Sequence, residues 1–318
     1  MNEAQLGDTV TLEAGRVWDI GSALLLYRKT TGQGALTVRT STPDSQLPDL
    51  NTRITPAWTG LLPTLRANLP GSRVMMVEQT SNSVTDYQFI GLHITSTGVA
   101  DIVDLVRLWA PGIHTTVAST PDRIVFDRCL FLGHPLRSAG KGIRMHVRNG
   151  EIKNSFFDGF NGYNDTQAIS NFNGPGPLAI RNNYLSATGE NMMTGGAKPD
   201  IPGLVPANHT IEFNAFVKDP AQLQMESWKP GIFVLTGKVV TNGRGKYKAL
   251  DSGTTGSSTP AFPLTTVSQS SNYPLTVGYS RSIIDECIPA SCVSDNGIRW
   301  QLIDVQPLTW SANLSVHR

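Results

Sequence analysis

Four side chains in two short segments have the types and the phase to hold an anionic sugar. In LVRLW (Leu105 to Trp109) and GIRMHV (Gly142 to Val147), apolar residues are interleaved with Arg107, Trp109, Arg144 and His146. If Leu105, Leu108, Ile143, Met145 and Val147 face a core, strand alternation turns those four residues outward. Guanidinium forks pair with carboxylates through two parallel hydrogen bonds, and an aromatic face suits a sugar ring. This alternation is compatible with an anion-binding stripe and equally with ordinary solvated residues on an exposed sheet.

Acidic residues enter from the connections: Asp158 in FFDGF, Asp165 in YNDTQ, Glu190 in ATGEN and Asp200 in KPDIPG. Glu190 is expected at the edge of the stripe. A glycoside hydrolase needs two opposed carboxyls roughly 5–9.5 Å apart, and Asp158, Asp165 and Glu190 are the residues that could supply them. Asn171 and Asn191, in the related segments QAISNF and NMMTGG, join Asp158 as further substrate contacts. Trp228 and Trp300, with Tyr247, form either a sugar-stacking platform or the core of a small module. His93, His114, His134 and His209 stand singly and are expected to be structural. The chain has neither a GxSxG elbow nor a Gly-rich phosphate loop, and GTTGSS (Gly253 to Ser258) reads as a flexible loop.

Internal repeats indicate which elements would place these residues. FIGLHI, FDRCLF, IKNSFF, IRNNYL and IEFNAF superimpose, starting at Phe89, Phe126, Ile152, Ile180 and Ile211. LVRLW, GIRMHV, QAISNF and NMMTGG interleave with them. Two short strands per unit, separated by Asn- and Gly-rich turns, are what a rung of a stacked β-solenoid requires, because each rung buries its inner face only against its neighbours. The column Cys129, Ser155, Asn183, Asn214 falls where two strands bend, so Asn183 and Asn214 are expected to stack and hydrogen-bond along the axis. Gly7 to Gly15 and Ala35 to Ser41 read as early rungs, and the proline-punctuated stretch from Leu47 to Gly71 as an insertion covering one face or an open end.

Composition agrees. The 318 residues carry 30 glycines, 20 prolines and only 16% charged side chains, against about 25% in typical domains, which favours short strands and many turns. A net charge of +1 gives no global attraction to nucleic acid. No apolar run is long enough for a spanning helix. Cys287 and Cys292 could close a small loop in an oxidising compartment or stay reduced, whereas Cys129 sits in an apolar strand pattern.

From about Gly7 to Asp219 the chain resembles bacterial right-handed β-helix repeat proteins of the pectate-lyase-like superfamily. GDTVTLEAG is similar to their opening turn and strand, and RIVFDRCLFLG, AISNFNGPGPLAIRNNYLSATGEN and HTIEFNAF to their consecutive rungs. After Trp228 the chain resembles, more weakly, the small aromatic modules of phage tails and carbohydrate-active enzymes. The resemblance implies an all-β right-handed parallel β-helix over residues 1–225, a small β module over 226–305, and a strand or tail over 306–318. It also implies a substrate trough along one stacked sheet.

In lyases of this fold a uronate is neutralised by calcium held on several carboxylates, and an Arg or Lys base removes the C5 proton. Here the carboxylates are scattered one per rung, so no cofactor is expected, and calcium is the one ion that the resemblance allows. The expected function is a secreted or cell-surface protein acting on an acidic polysaccharide by β-elimination. Arg144 or His146 would stand near the proton abstraction, and Glu190 and Asp165 would shape the site. A glycoside hydrolase or a non-catalytic glycan-binding adhesin are the alternatives. The partner is a polysaccharide rather than nucleic acid or membrane. Trp228 to Asp304, or a second copy of the chain, is expected to cover the C-terminal end of the solenoid.

Overall fold

A computed structural model of the protein describes residues 3–69, 72–97, 102–134, 139–161, 165–218, 228–241, 245–261 and 292–305. They belong to two compact units, Met1–Leu223 and Gln224–Arg318.

The first unit is built from rungs. Rung 1 comprises β1 (Thr9–Leu12), β2 (Val17–Ile20) and β3 (Leu24–Leu26). Rung 2 comprises β4 (Leu36–Thr40), β5 (Thr64–Ala67) and β6 (Met75–Val77), and rung 3 β7 (Thr85–Ile90), β8 (His93–Ser96) and β9 (Ile102–Arg107). Rung 4 follows with β10 (Asp122–Asp127), β11 (Leu130–Leu132) and β12 (Ala139–Arg144), and rung 5 with β13 (Gly150–Lys153), β14 (Phe156–Phe160) and β15 (Gln167–Asn171). Rung 6 holds β16 (Leu178–Arg181), β17 (Tyr184–Ala187) and β18 (Glu190–Thr194), and rung 7 holds β19 (Thr210–Glu212) and β20 (Ala215–Val217). The first strands of all rungs stack as sheet I, the second as sheet II and the third as sheet III. Every pairing within these sheets is parallel, which makes this unit a parallel β-helix.

Each full rung therefore has three strands rather than the two expected. Segments such as FDRCLF cross a corner, because one residue in the left-handed region turns the chain from sheet I to sheet II. That residue is Gly91, Arg128, Asn154, Asn182 or Phe213 in successive rungs, with φ between 51° and 63°. So brief a break leaves no gap in the apolar pattern.

Inside the coil, aligned apolar residues form continuous columns. On sheet I, Val38, Phe89, Phe126, Ile152 and Ile180 are in register, and on sheet II, Leu65, Ile94, Phe131, Phe157 and Leu185. Phe131 and Phe157 stack at 4.2 Å, and Phe89 and Phe126 at 4.7 Å. The corner column behaves as expected. Ser155 N–H donates to Asn183 Oδ1 at 2.9 Å, Asn183 N–H to Asn214 Oδ1 at 2.8 Å, and Cys129 N–H to Ser155 Oγ at 3.0 Å. Cys129 is a free, buried thiol.

Part of the insertion is a strand, β5, and the segment before it covers a face. Leu47, Ile54 and Leu62 pack on Ile90 and Leu130 outside the corner between sheets I and II. Ile54 N–H donates to the Asn154 carbonyl at 2.9 Å, and Asn154 Nδ2 to the Leu50 carbonyl at 2.6 Å.

The second unit contains a four-stranded antiparallel sheet, in the order β22 (Val239–Thr241), β23 (Gly245–Ala249), β26 (Ile298–Val305), β25 (Cys292–Asp295). A two-stranded ribbon, β21 (Phe233–Val234) with β24 (Gly253–Thr254), accompanies it. Cys287, and with it the expected pairing to Cys292, lies outside the described residues, as do residues 306–318.

Candidate functional site

Sheet III departs from simple alternation at the same place in successive rungs. Leu105 and Val106 are both in the core, as are Ala168 and Ile169 two rungs on. Between them, Gly142 and Ile143 do the same. A Cβ at Gly142 would come within 2.9 Å of Phe157 and 2.8 Å of Phe160, so that position faces inward and has no room for a side chain. Two consecutive inward residues bring their flanking neighbours to the same outer side. Asp104 and Arg107, Lys141 and Arg144, Gln167 and Ser170, and Glu190 and Met193 consequently form two adjacent columns, in register from rung 3 to rung 6.

At the head of these columns three guanidiniums converge on one carboxylate. Asp104 is fully buried and accepts from Arg73 Nε at 2.6 Å, Arg107 Nη2 at 2.5 Å and Arg144 Nε at 2.9 Å. Burial alone would raise the Asp104 pKa, but the charges of Arg107, Arg73 and Arg144 outweigh it and hold the carboxyl below its ordinary range. Three cations around one anion leave an excess of positive charge, and each arginine keeps part of its surface in solvent.

One rung on, Lys141 Nζ donates to the Asp165 carbonyl at 2.5 Å and lies 3.4 Å from its carboxylate. Burial, and then the neighbouring Arg144 charge, lower the Lys141 pKa. Gln167 Nε2 donates to both Asp165 Oδ1 and Glu190 Oε2, the latter at 2.7 Å, so one amide joins two carboxylates. Among the described residues no three His, Cys, Asp or Glu side chains gather as a metal site.

Of the residues expected at the site, Arg107, Arg144, Asp165 and Glu190 are brought together on this face. Trp109 and His146 are not; both are buried. The strands end at Arg107 and Arg144, and beyond them the chain turns inward, so alternation cannot be carried on to the next two residues. His146 lies between Trp109 and Phe172, with ring centroids 5.1 Å and 4.4 Å away. Burial pushes its pKa well below the ordinary histidine value, so it is neutral. Trp109 Nε1 donates to Asp200 Oδ2 at 2.9 Å, which gives that carboxylate a structural partner.

Asn171 Oδ1 accepts from Gly174 N–H at 2.8 Å, and Asn191 Oδ1 from Ala187 N–H at 3.1 Å, so both amides are engaged in holding turns. Asp158 is on sheet II, in register with Leu132. Trp228 and Trp300 are buried with Tyr247 in the core of the second unit, where their rings are covered, and Trp228 Nε1 donates to Asp295 Oδ2 at 2.8 Å.

Sequence reasoning missed Asp104, Arg73 and Lys141. A signal for two of them was present: D-x-x-R at Asp104 to Arg107 repeats as K-x-x-R at Lys141 to Arg144, one rung later. Arg73 belongs to a connection and had no such signal. Comparison with protein-family models, with curated proteins and with solved structures finds no match.

Proposed function

We propose that the protein binds an acidic polysaccharide laid across the rungs on the outer face of sheet III, in keeping with its resemblance to pectate-lyase-like proteins. The observation that carries this reading is the gathering of Arg73, Arg107 and Arg144 on buried Asp104. Asp104 fixes the guanidiniums while cancelling only part of their charge, so the face is preorganised for carboxylates without ordering flexible side chains on binding. Neighbouring strands lie roughly 4.7–4.9 Å apart, which repeats the cations along the axis on the scale of a sugar unit. A secreted or cell-surface glycan-binding protein needs no more than this.

Cleavage by β-elimination is a second reading, and Lys141 is what favours it. A base takes the C5 proton of a uronate, the C4–O bond breaks, and the departing oxygen is protonated. Lys141, with its lowered pKa, stands beside the arginines that would pair with the uronate carboxylate.

Calorimetry with polygalacturonate and alginate tests the binding. The expected result is an affinity that weakens as salt rises and falls about tenfold in Arg107→Ala. Affinity that is unchanged in that variant, or absence of binding to both polymers, would overturn the reading. Incubation monitored at the absorbance of the unsaturated product tests elimination, with loss of signal expected in Lys141→Met. Reducing ends released without that absorbance would point instead to hydrolysis by Asp165 and Glu190.

A further inference from the structure

A cleft of about 550 Å³ opens at the corner where sheet III leads into sheet I, over the first four rungs. Small-molecule sites commonly occupy about 300–1,000 Å³. Four cations line this one, Arg28, Lys29, Arg123 and Arg148, with Asp122 as the one acidic group among its lining residues.

Two of the arginines are consumed unequally. Arg123 is engaged on all three nitrogens, with Nε and Nη2 on Asp86 at 2.5 Å and 2.8 Å and Nη1 on Asp122 at 2.6 Å. Asp122 is further engaged by Asn149 Nδ2 at 2.8 Å. Arg148 is left with long contacts, 3.5 Å to Ser83 Oγ and 3.5 Å to Asp122, and its buried Nε meets no partner among the described residues. The Arg28 side chain has no hydrogen-bond or ion-pair partner among the described residues, although its backbone N–H is held by Glu78 at 2.8 Å. Both Asp86 and Arg123 sit in the left-handed backbone region, with φ of 63° and 52°, and their ion pair fixes this wall between two rungs. The cleft thus holds two under-used guanidiniums, and Ser81, Asn82 and Thr115 add polar groups around it.

We propose that this cleft is a binding site, separate from the sheet III face, for a sugar carrying a sulfate or phosphate ester. The tetrahedral oxyanion sits between Arg28 and Arg148, where guanidinium forks supply donors from two sides. Ser81, Asn82 and Thr115 meet the sugar hydroxyls.

Calorimetry on the full chain, with a galactose sulfate and a glucose phosphate as separate arms, tests the proposal against the neutral parent sugars and inorganic sulfate. Binding of either ester is expected, with affinity falling about tenfold in Arg148→Ala and in Arg28→Ala; the preferred arm identifies the ester. Arg107→Ala, on sheet III, is expected to leave it unchanged. Thermal unfolding of each variant verifies the fold, and Arg148→Lys supplies a conservative second variant with reduced affinity. The proposal is overturned if neither ester binds at millimolar concentration, if both alanine variants bind as the parent does, if Arg107→Ala abolishes binding, or if inorganic sulfate binds as tightly as the esters.

Discussion

Arg144 reaches back one rung to Asp104, with 2.9 Å between its Nε and the carboxylate Oδ2. Arg107 contacts the same oxygen from Asp104's own strand. A buried carboxylate that satisfies three guanidiniums cannot be removed without leaving those cations to repel one another.

Asp104→Asn is therefore expected to lower stability by about 3–5 kcal/mol, the cost of breaking a buried ion pair from one side. The carboxyl pKa is depressed in the fold. Its contribution is complete above the unfolded value of about 3.9 and is lost as pH falls through the lower folded value. Urea unfolding of both proteins measures the difference, and an unchanged midpoint would refute the placement of Asp104 at the centre of the network.

Asn183 is fully buried in the corner column. Its Oδ1 accepts from Ser155 N–H at 2.9 Å and its Nδ2 donates to the Ile152 carbonyl at 2.9 Å. Asn183→Ala leaves both backbone groups unpaired, at about 1–3 kcal/mol each. Asn214 stands on the last rung and is partly exposed, so Asn214→Ala is expected to cost less. Denaturant midpoints that rank the two variants in the opposite order would sink this account.

His146→Phe is expected to be tolerated and to reduce acid sensitivity. Neither ring nitrogen of His146 meets a partner among the described residues, and aromatic rings flank it. Burial lowers its pKa well below 6.5, and burial of His93 lowers that imidazole to about 4. Both contribute stability that is complete above the unfolded value and is lost as pH falls from 6.5 toward the folded values. The measurement is the melting temperature at about pH 7.5 and about pH 5. The variant should lose less on acidification than the parent does, and an equal loss would assign the sensitivity elsewhere.

Cys129 is expected to resist alkylation until the solenoid unfolds. Burial pushes its thiol up to about 12, which leaves almost no thiolate at neutral pH. Peptide mapping after iodoacetamide treatment should find Cys129 modified in urea and untouched in buffer. Modification in buffer at the rate of an exposed thiol would contradict the closed corner.

The sequence by itself determined the solenoid and its corner. Recurring apolar segments and the column ending in Asn183 and Asn214 are local patterns, and stacking has one way to bury them. It also carried Arg107 and Arg144 to the same outer side, because both lie within strands. Tertiary structure alone decided where those strands stop, and hence that Trp109 and His146 turn inward. It alone decided that Leu105 and Val106, like Gly142 and Ile143, both face the core, which brings Asp104 and Lys141 onto the outer face. The physical reason is that register and charge pairing are settled between rungs. Arg73, Asp104 and Arg144 meet only once three successive turns of the coil are stacked, and no periodicity within one strand records that meeting.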